Sequence, residues 1–165
     1  MAIDGASLAE LAAFAGVDLT GVLDVGHDTP RVGDAHAPIA LDDADATDVC
    51  DWFQQAAAML DRVLAALPDS ATPTLPRLWP EHFDVAVESQ AQPDLRVNLG
   101  GSPGDGSSGE PYLYVGPWTA DRPGDADFWN ASYGAMRTRS QLAADSGGLV
   151  AAGAAFLLDG YGRLH

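Results

Sequence analysis

The stretch Glu81-His82-Phe83-Asp84-Val85-Ala86-Val87-Glu88 sets Phe83, Val85 and Val87 at every second position, mostly between polar side chains. Side chains two residues apart share one face of a strand, so this period reads as a half-buried strand rather than a helix. The same period recurs in Leu95-Arg96-Val97-Asn98-Leu99 and in Tyr112-Leu113-Tyr114-Val115. The connections, residues 89–94 and 100–111, are too short for crossover helices, and the strands are therefore expected to form an antiparallel meander.

Upstream of the first strand, Pro73 and Pro76 make a stiff lead into Leu78-Trp79-Pro80. Before them, Val49, Phe53, Ala56, Leu60, Val63 and Leu67 recur at spacings of three and four, which predicts a helix over residues 47–67. Thr47 is its expected cap, Asp48 and Asp51 suit its positive end, and Pro68 stops it. Ser7-Leu8-Ala9-Glu10 has the form of a capping box and Gly16 of a helix stop, so a short helix is expected over residues 7–15. Residues 17–45 read mostly as loop, with brief apolar pieces at Val22-Leu23 and Ile39-Ala40-Leu41. Beyond the strands, residues 116–127 read as loop, 131–144 as helical, and 147–158 as a buried helix of small residues closed by Gly160.

The expected architecture is a single α+β domain over residues 1–165. Its parts are a loop-rich stretch (1–45), a helix (46–67), an antiparallel sheet of three or more strands (78–118) and a helical C-terminal part (127–165). The helices are expected to cover the apolar face of the sheet. A chain of 165 residues, 47% of them hydrophobic, is long enough for one such core.

The charge balance excludes several functions. There are 24 acidic residues against 8 basic ones, every basic residue is Arg, and the net charge is -16, so nucleic acid would meet a repulsive field. The excess of Asp, Ala and Gly fits GC-rich coding or adaptation to salt, and a solvated acidic surface accounts for it. Cys50 stands alone, which excludes a disulfide within the chain and a thiolate metal cluster, and a reducing cytoplasm suits it. No basic segment followed by an apolar one opens the chain, and its longest apolar run, residues 147–158, falls short of the ~20 needed to span a bilayer. A soluble cytoplasmic protein, neither exported nor membrane-bound, is expected, and Asn130-Ala131-Ser132 is then a chance glycosylation triplet.

Two well-known patterns occupy the loop after the second strand, and both lack the context they need. Gly100-Gly101-Ser102-Pro103-Gly104 matches a nucleophile elbow, but Pro103 has no N–H to lend to an oxyanion hole and no helix follows. Gly104-Asp105-Gly106-Ser107-Ser108-Gly109 matches a dinucleotide fingerprint, but Pro111 and a strand follow it, and Asp105 and Glu110 would repel phosphates. The segment reads instead as a flexible hairpin loop. Cys50 lies beside the apolar stripe of the long helix and reads as a small buried hydrophobe. His27, Asp28, Asp34 and His36 lack a ligand spacing and read as exposed loop. No cofactor is expected.

If the apolar sets face the core, strand alternation places His82, Asp84 and Glu88, then Arg96 and Asn98, then Tyr112 and Tyr114 on the opposite face. An imidazole, carboxylates, a carboxamide, a guanidinium and two phenols can orient a small polar ligand or move protons, while the same set is also compatible with a solvated face of cross-strand ion pairs. A metal site is not expected, because His82 and Asp84 would need one or two further ligands that the sequence does not identify. Trp79, Trp118 and Trp129 flank the strands and read as core more readily than as walls of a pocket.

The blocks Leu78-Trp79-Pro80-Glu81-His82-Phe83-Asp84, Ser102-Pro103-Gly104-Asp105, Glu110-Pro111-Tyr112-Leu113-Tyr114-Val115-Gly116-Pro117-Trp118 and Trp129-Asn130-Ala131 resemble a family of uncharacterised actinobacterial proteins with no known activity. The resemblance implies a bacterial cytosolic setting and marks Trp79, Glu81, His82, Asp84, Asp105, Glu110, Tyr112, Tyr114 and Trp118 as signature positions. It further implies that relatives carry an additional strand-rich stretch at the N-terminus. The leading expectation is a binding domain for a small polar ligand, using Arg96, Asn98, Tyr112, Tyr114, Trp79, Trp118, Asp105 and Glu110, with residues 100–111 as a candidate lid. The alternatives are a hydrolytic or acid–base enzyme, with His82 as base and Asp84 or Glu81 orienting it, and an interaction module that docks a protein partner.

Overall fold

The computed structural model describes residues 2–21 and 33–165, so Val22, Leu23, His27 and Asp28 lie outside the described residues. Contacts group the chain into two compact units, residues 1–50 and 51–165. In the first, helix α1 (Leu8–Ala15) begins with both halves of the Ser7–Glu10 capping box and ends at Gly16 in the left-handed conformation. Local chemistry suffices for this element, since each cap satisfies backbone groups that a helix end leaves bare.

Helix α2 (Asp43–Ala66) starts four residues before the expected Thr47 cap. Asp42 caps it instead, its Oδ1 accepting from the N–H groups of Ala44 and Asp45 at 2.8 and 3.1 Å. Thr47 lies within the helix and donates its hydroxyl to the carbonyl of Asp43 at 2.7 Å. The buried stripe of α2 is Trp52, Ala56, Met59, Leu60 and Val63, whereas Phe53 is only partly covered and Cys50 is exposed, not buried.

The second unit holds one antiparallel sheet of five strands in the order β1-β2-β3-β4-β5, packed with helices, which is the α+β meander the alternation predicts. The strands are β1 (Arg77–Trp79), β2 (Asp84–Gln92), β3 (Leu95–Ser102), β4 (Tyr112–Pro117) and β5 (Ala135–Thr138). The Pro-bounded lead is thus an edge strand, and residues 135–138 form a strand where a helix was expected. Gly134 explains the second difference, because a Cβ there would stand 2.0 Å from the carbonyl oxygen of Val115 and only glycine lets the chain turn so close to β4. Asn130 then covers the free edge of β5, its carboxamide accepting from the Met136 N–H at 2.8 Å and donating to the Met136 carbonyl at 3.0 Å, which blunts edge-to-edge pairing.

Two short helices follow, α3 (Arg139–Ala143), opened by a Thr138–Gln141 capping box, and α4 (Leu149–Arg163). Gly160 does not close α4 but lies inside it, where a Cβ would come within 2.5 Å of Val115. Gly153 likewise lies against Met59 and Leu113, so the small residues let α4 approach the sheet closely. Val87, Val97, Leu99, Leu113 and Val115 are fully buried in the core cluster, each contributing about 1.5–3 kcal/mol by leaving water. Phe83 breaks the alternation: it precedes β2 with φ of 50° and is 51% exposed. No helix among the described residues is long and apolar enough to cross a membrane.

Candidate functional site

The register sets which side chains share the non-core face. Glu88 pairs with Asn98, Gln90 with Arg96 and Ala86 with Gly100, while Asn98, Gly100 and Ser102 oppose Gly116, Tyr114 and Tyr112. This face divides into two chemically different halves.

The outer half is made of groups that pair with one another, although Arg96 Nε, in ion-pair contact with Glu88, is buried without a well-formed hydrogen bond. Arg96 pairs with Glu88 across the β2–β3 ladder, and its guanidinium lies 5.8 Å from the Trp118 ring centroid. Trp118, 60% exposed, donates its indole N–H to Asn98 Oδ1 at 3.0 Å. These are the cross-strand pairs of a solvated face.

The inner half is desolvated. Asp84, Ser102 and Tyr112 are 5%, 2% and 4% exposed. The Tyr114 hydroxyl donates to Asp84 Oδ2, while Asp84 Oδ1 is buried without a hydrogen-bond partner. Gly100 makes this possible, because a Cβ there would meet the Tyr114 ring and hydroxyl at 2.6 Å. The phenol of Tyr114 therefore lies over bare backbone of β3 on its way to β2. Tyr112 donates to Asp105 Oδ2 at 2.6 Å, and the rings of Tyr112 and Tyr133 both pack on Tyr114, with centroids 6.4 and 6.3 Å from its own.

Burial pushes the Asp84 carboxyl above its ordinary range; the Tyr114 hydroxyl, the His82 charge and the residue's own backbone N–H oppose that, and the Glu81 charge adds to it. Burial and the adjoining Asp84 hold Tyr114 firmly protonated, and burial and Asp105 do the same for Tyr112. Asp105 differs: burial disfavours its charge, but donors from Tyr112, Ser107 and Ser108 together outweigh burial and lower its carboxyl.

A carboxyl raised in the folded state binds its proton more tightly folded than unfolded. The stability it contributes is fully present below the ordinary value of 3.8 and is lost as pH rises through the folded value. Wild type should therefore lose stability relative to Asp84→Asn as pH climbs from 3.8, and urea midpoints of the two proteins measured side by side check this. Parallel profiles would mean that Asp84 titrates in the fold as it does in the open chain.

The remaining expected residues separate from this cluster. His82 lies exposed in the β1–β2 turn, its N–H donating to the Trp79 carbonyl at 3.3 Å, and so is not a strand residue of the polar face. Glu81 occupies the same turn, and Trp79, half-buried, pairs with Asp84 across the β1–β2 ladder. Glu110 serves α3, accepting from the Ser140 hydroxyl at 2.7 Å and the Ser140 N–H at 3.1 Å. The loop expected as a flexible lid is shorter, because residues 100–102 belong to β3, and it is tied down by Asp105, which accepts from the Ser107 N–H at 2.6 Å and donates its own N–H to the Ser108 carbonyl at 2.9 Å. Ser102 is buried and accepts from the Gly104 N–H at 3.2 Å, a structural place rather than a nucleophile's. Trp129 is 9% exposed and belongs to the core.

Tyr133 was missed. It precedes β5 in a stretch that reads as helical, and only the antiparallel return of β5 along β4 brings its ring to Tyr114. An open groove of about 780 Å³ lies elsewhere, lined in part by Phe128, Met136, Arg137, Asp145, Phe156 and Asp159, and none of the expected site residues lines it. Its charges are largely paired, Arg137 with Asp145 and Asp159 with Arg163. Among family models, curated proteins and solved structures, none matches this chain.

Proposed function

We propose that the chain is a small-ligand-binding protein of the bacterial cytosol, and that its site is the inner half of the polar face, centred on Asp84 and Tyr114. The observation that carries this reading is Asp84 Oδ1, an acceptor on a side chain only 5% exposed with no hydrogen-bond partner. Such an atom costs about 1–3 kcal/mol, and a fold keeps it where something other than stability is gained. The blocks carrying the actinobacterial resemblance contain Asp84, Asp105, Tyr112 and Tyr114, which supports the same centre.

An acid–base enzyme receives less support, because its expected base, His82, is exposed in a turn. A protein-docking surface is favoured by one observation: Leu75, Leu78 and Phe83, around β1, are 76%, 51% and 51% exposed. Pro76 and Pro80 bracket β1 and hinder strand addition, so such a partner would bind through side chains.

A thermal-shift screen with panels of amines, carboxylates, polyols and nucleobases tests the ligand reading. A ligand at 100 times its dissociation constant adds about 2.7 kcal/mol to native stability. A response present in wild type, in His82→Ala and in Glu88→Gln, but lost in Asp84→Asn, is the expected result. Loss in His82→Ala as well would move the assignment to acid–base chemistry, and no response from any panel would leave the docking surface in front.

A further inference from the structure

The charges around Asp84 Oδ1 decide what kind of donor suits it. His82 and Glu81 in the adjoining turn act on Asp84 with opposite signs, so the lasting charge beside Oδ1 is that of the carboxyls themselves, Asp84 and, behind Tyr112, Asp105. Of the basic groups, Arg96 is held by Glu88 and Trp118, and His82 points from an exposed turn. An entering anion is therefore repelled, and a neutral ligand draws nothing from this field.

A metal ion fits poorly. Among the described residues no group of three or more His, Cys, Asp or Glu could hold one, and such ions require about four to eight ligands. An organic ammonium has smaller needs, because a few acceptors satisfy its N–H groups while its cationic carbon skeleton rests against aromatic rings. Both requirements are met here. The Tyr114 hydroxyl spends its proton on Asp84 Oδ2, which leaves the phenol oxygen as an acceptor beside Oδ1. The rings of Tyr112 and Tyr133 both pack against Tyr114.

We propose that the ligand of this site, given the binding reading above, is a small organic ammonium ion whose N–H groups are shared between Asp84 Oδ1 and the Tyr114 oxygen, with its carbon skeleton against the tyrosine rings. Oδ1 is closed to solvent, so entry requires a local movement. The segment that would have to shift is the adjoining β1–β2 turn, in which Phe83 holds a left-handed φ of 50° and packs edge-on against Phe53 at 5.4 Å.

The test is an NMR titration of the intact chain with n-butylammonium chloride, sodium butyrate and 1-butanol at matched pH and ionic strength, following the amides of Asp84, Gly100 and Tyr114. Saturable shifts with butylammonium alone, with a dissociation constant on the order of 1 mM for so small a probe, are expected. Asp84→Asn should weaken that binding at least tenfold and Tyr114→Phe severalfold. If butyrate or butanol moves these amides as strongly, the ammonium assignment is overturned while the site stands. If no probe moves them and no panel compound in the thermal screen depends on Asp84, both assignments fall. Should Asp84→Asn not fold, Tyr114→Phe decides, and unchanged affinity in that variant overturns the assignment.

Discussion

Gly100→Ala is expected to lower stability by about 2–5 kcal/mol and to abolish the response of the inner site to any ligand. The backbone at Gly100 does not require glycine, since its φ lies outside the left-handed region, so the effect is steric. A Cβ there would stand 2.6 Å from the Tyr114 ring and hydroxyl and 2.8 Å from the Ala86 Cβ, and Ala86, on the facing strand, cannot swing away. Tyr114 must therefore leave, and its hydroxyl and Asp84 Oδ2 lose each other inside a desolvated region. Urea unfolding measures the cost, and Gly106→Ala is the control, because nothing lies within 4 Å of that position. In a Tyr114→Phe background the hydrogen bond is already absent, so the glycine substitution should cost about 1–3 kcal/mol less than in wild type. A Gly100→Ala protein within about 1 kcal/mol of wild type would mean that Tyr114 does not rest on Gly100.

The second large effect concerns Trp52, which is fully buried on α2 beneath the sheet, 3.5 Å from where a Gly101 Cβ would stand. Trp52→Ala is expected to cost about 3–5 kcal/mol through lost burial and the cavity it leaves. That corresponds to a fall in melting temperature of roughly 6–20 °C for a chain of this size. Trp52→Phe is expected to cost less than half as much. The indole Nε1 is buried without a hydrogen-bond partner, so phenylalanine removes an unsatisfied donor while retaining much of the apolar area. Circular dichroism melts of the two variants compare them directly. Equal losses would show that the indole N–H is satisfied in solution.

These two residues also mark where reading the sequence succeeded and where it stopped. The long helix was legible from its period, yet Trp52 and Met59 were absent from the predicted stripe, which carried Val49 and Phe53 in their place. Both sets have helical spacing, and only contact with the sheet shows which turns inward. Asp42, not the expected Thr47, caps that helix, and both residue types cap helices well. The Thr138–Gln141 capping box is a local signal within the stretch expected as one longer helix, and it marks the start of α3. At the site, alternation placed Asp84, Tyr112 and Tyr114 on one face, whereas His82 was given to a strand that begins two residues later.

The sequence by itself determined the α+β class, the antiparallel meander, the capped first helix and the division of three strands into an apolar and a polar face. Each of these depends on spacings within a few residues, through strand alternation, helical period or a cap reaching one turn. The tertiary structure alone decided which half of the polar face loses its water, that Tyr133 joins it, that His82 stays outside, and that Asp84 has one oxygen without a donor. Those outcomes depend on groups far apart in the chain, such as Gly100 making room for Tyr114 to reach Asp84. Desolvation is a property of what surrounds an atom in space, and the sequence neighbours of Asp84 do not specify it.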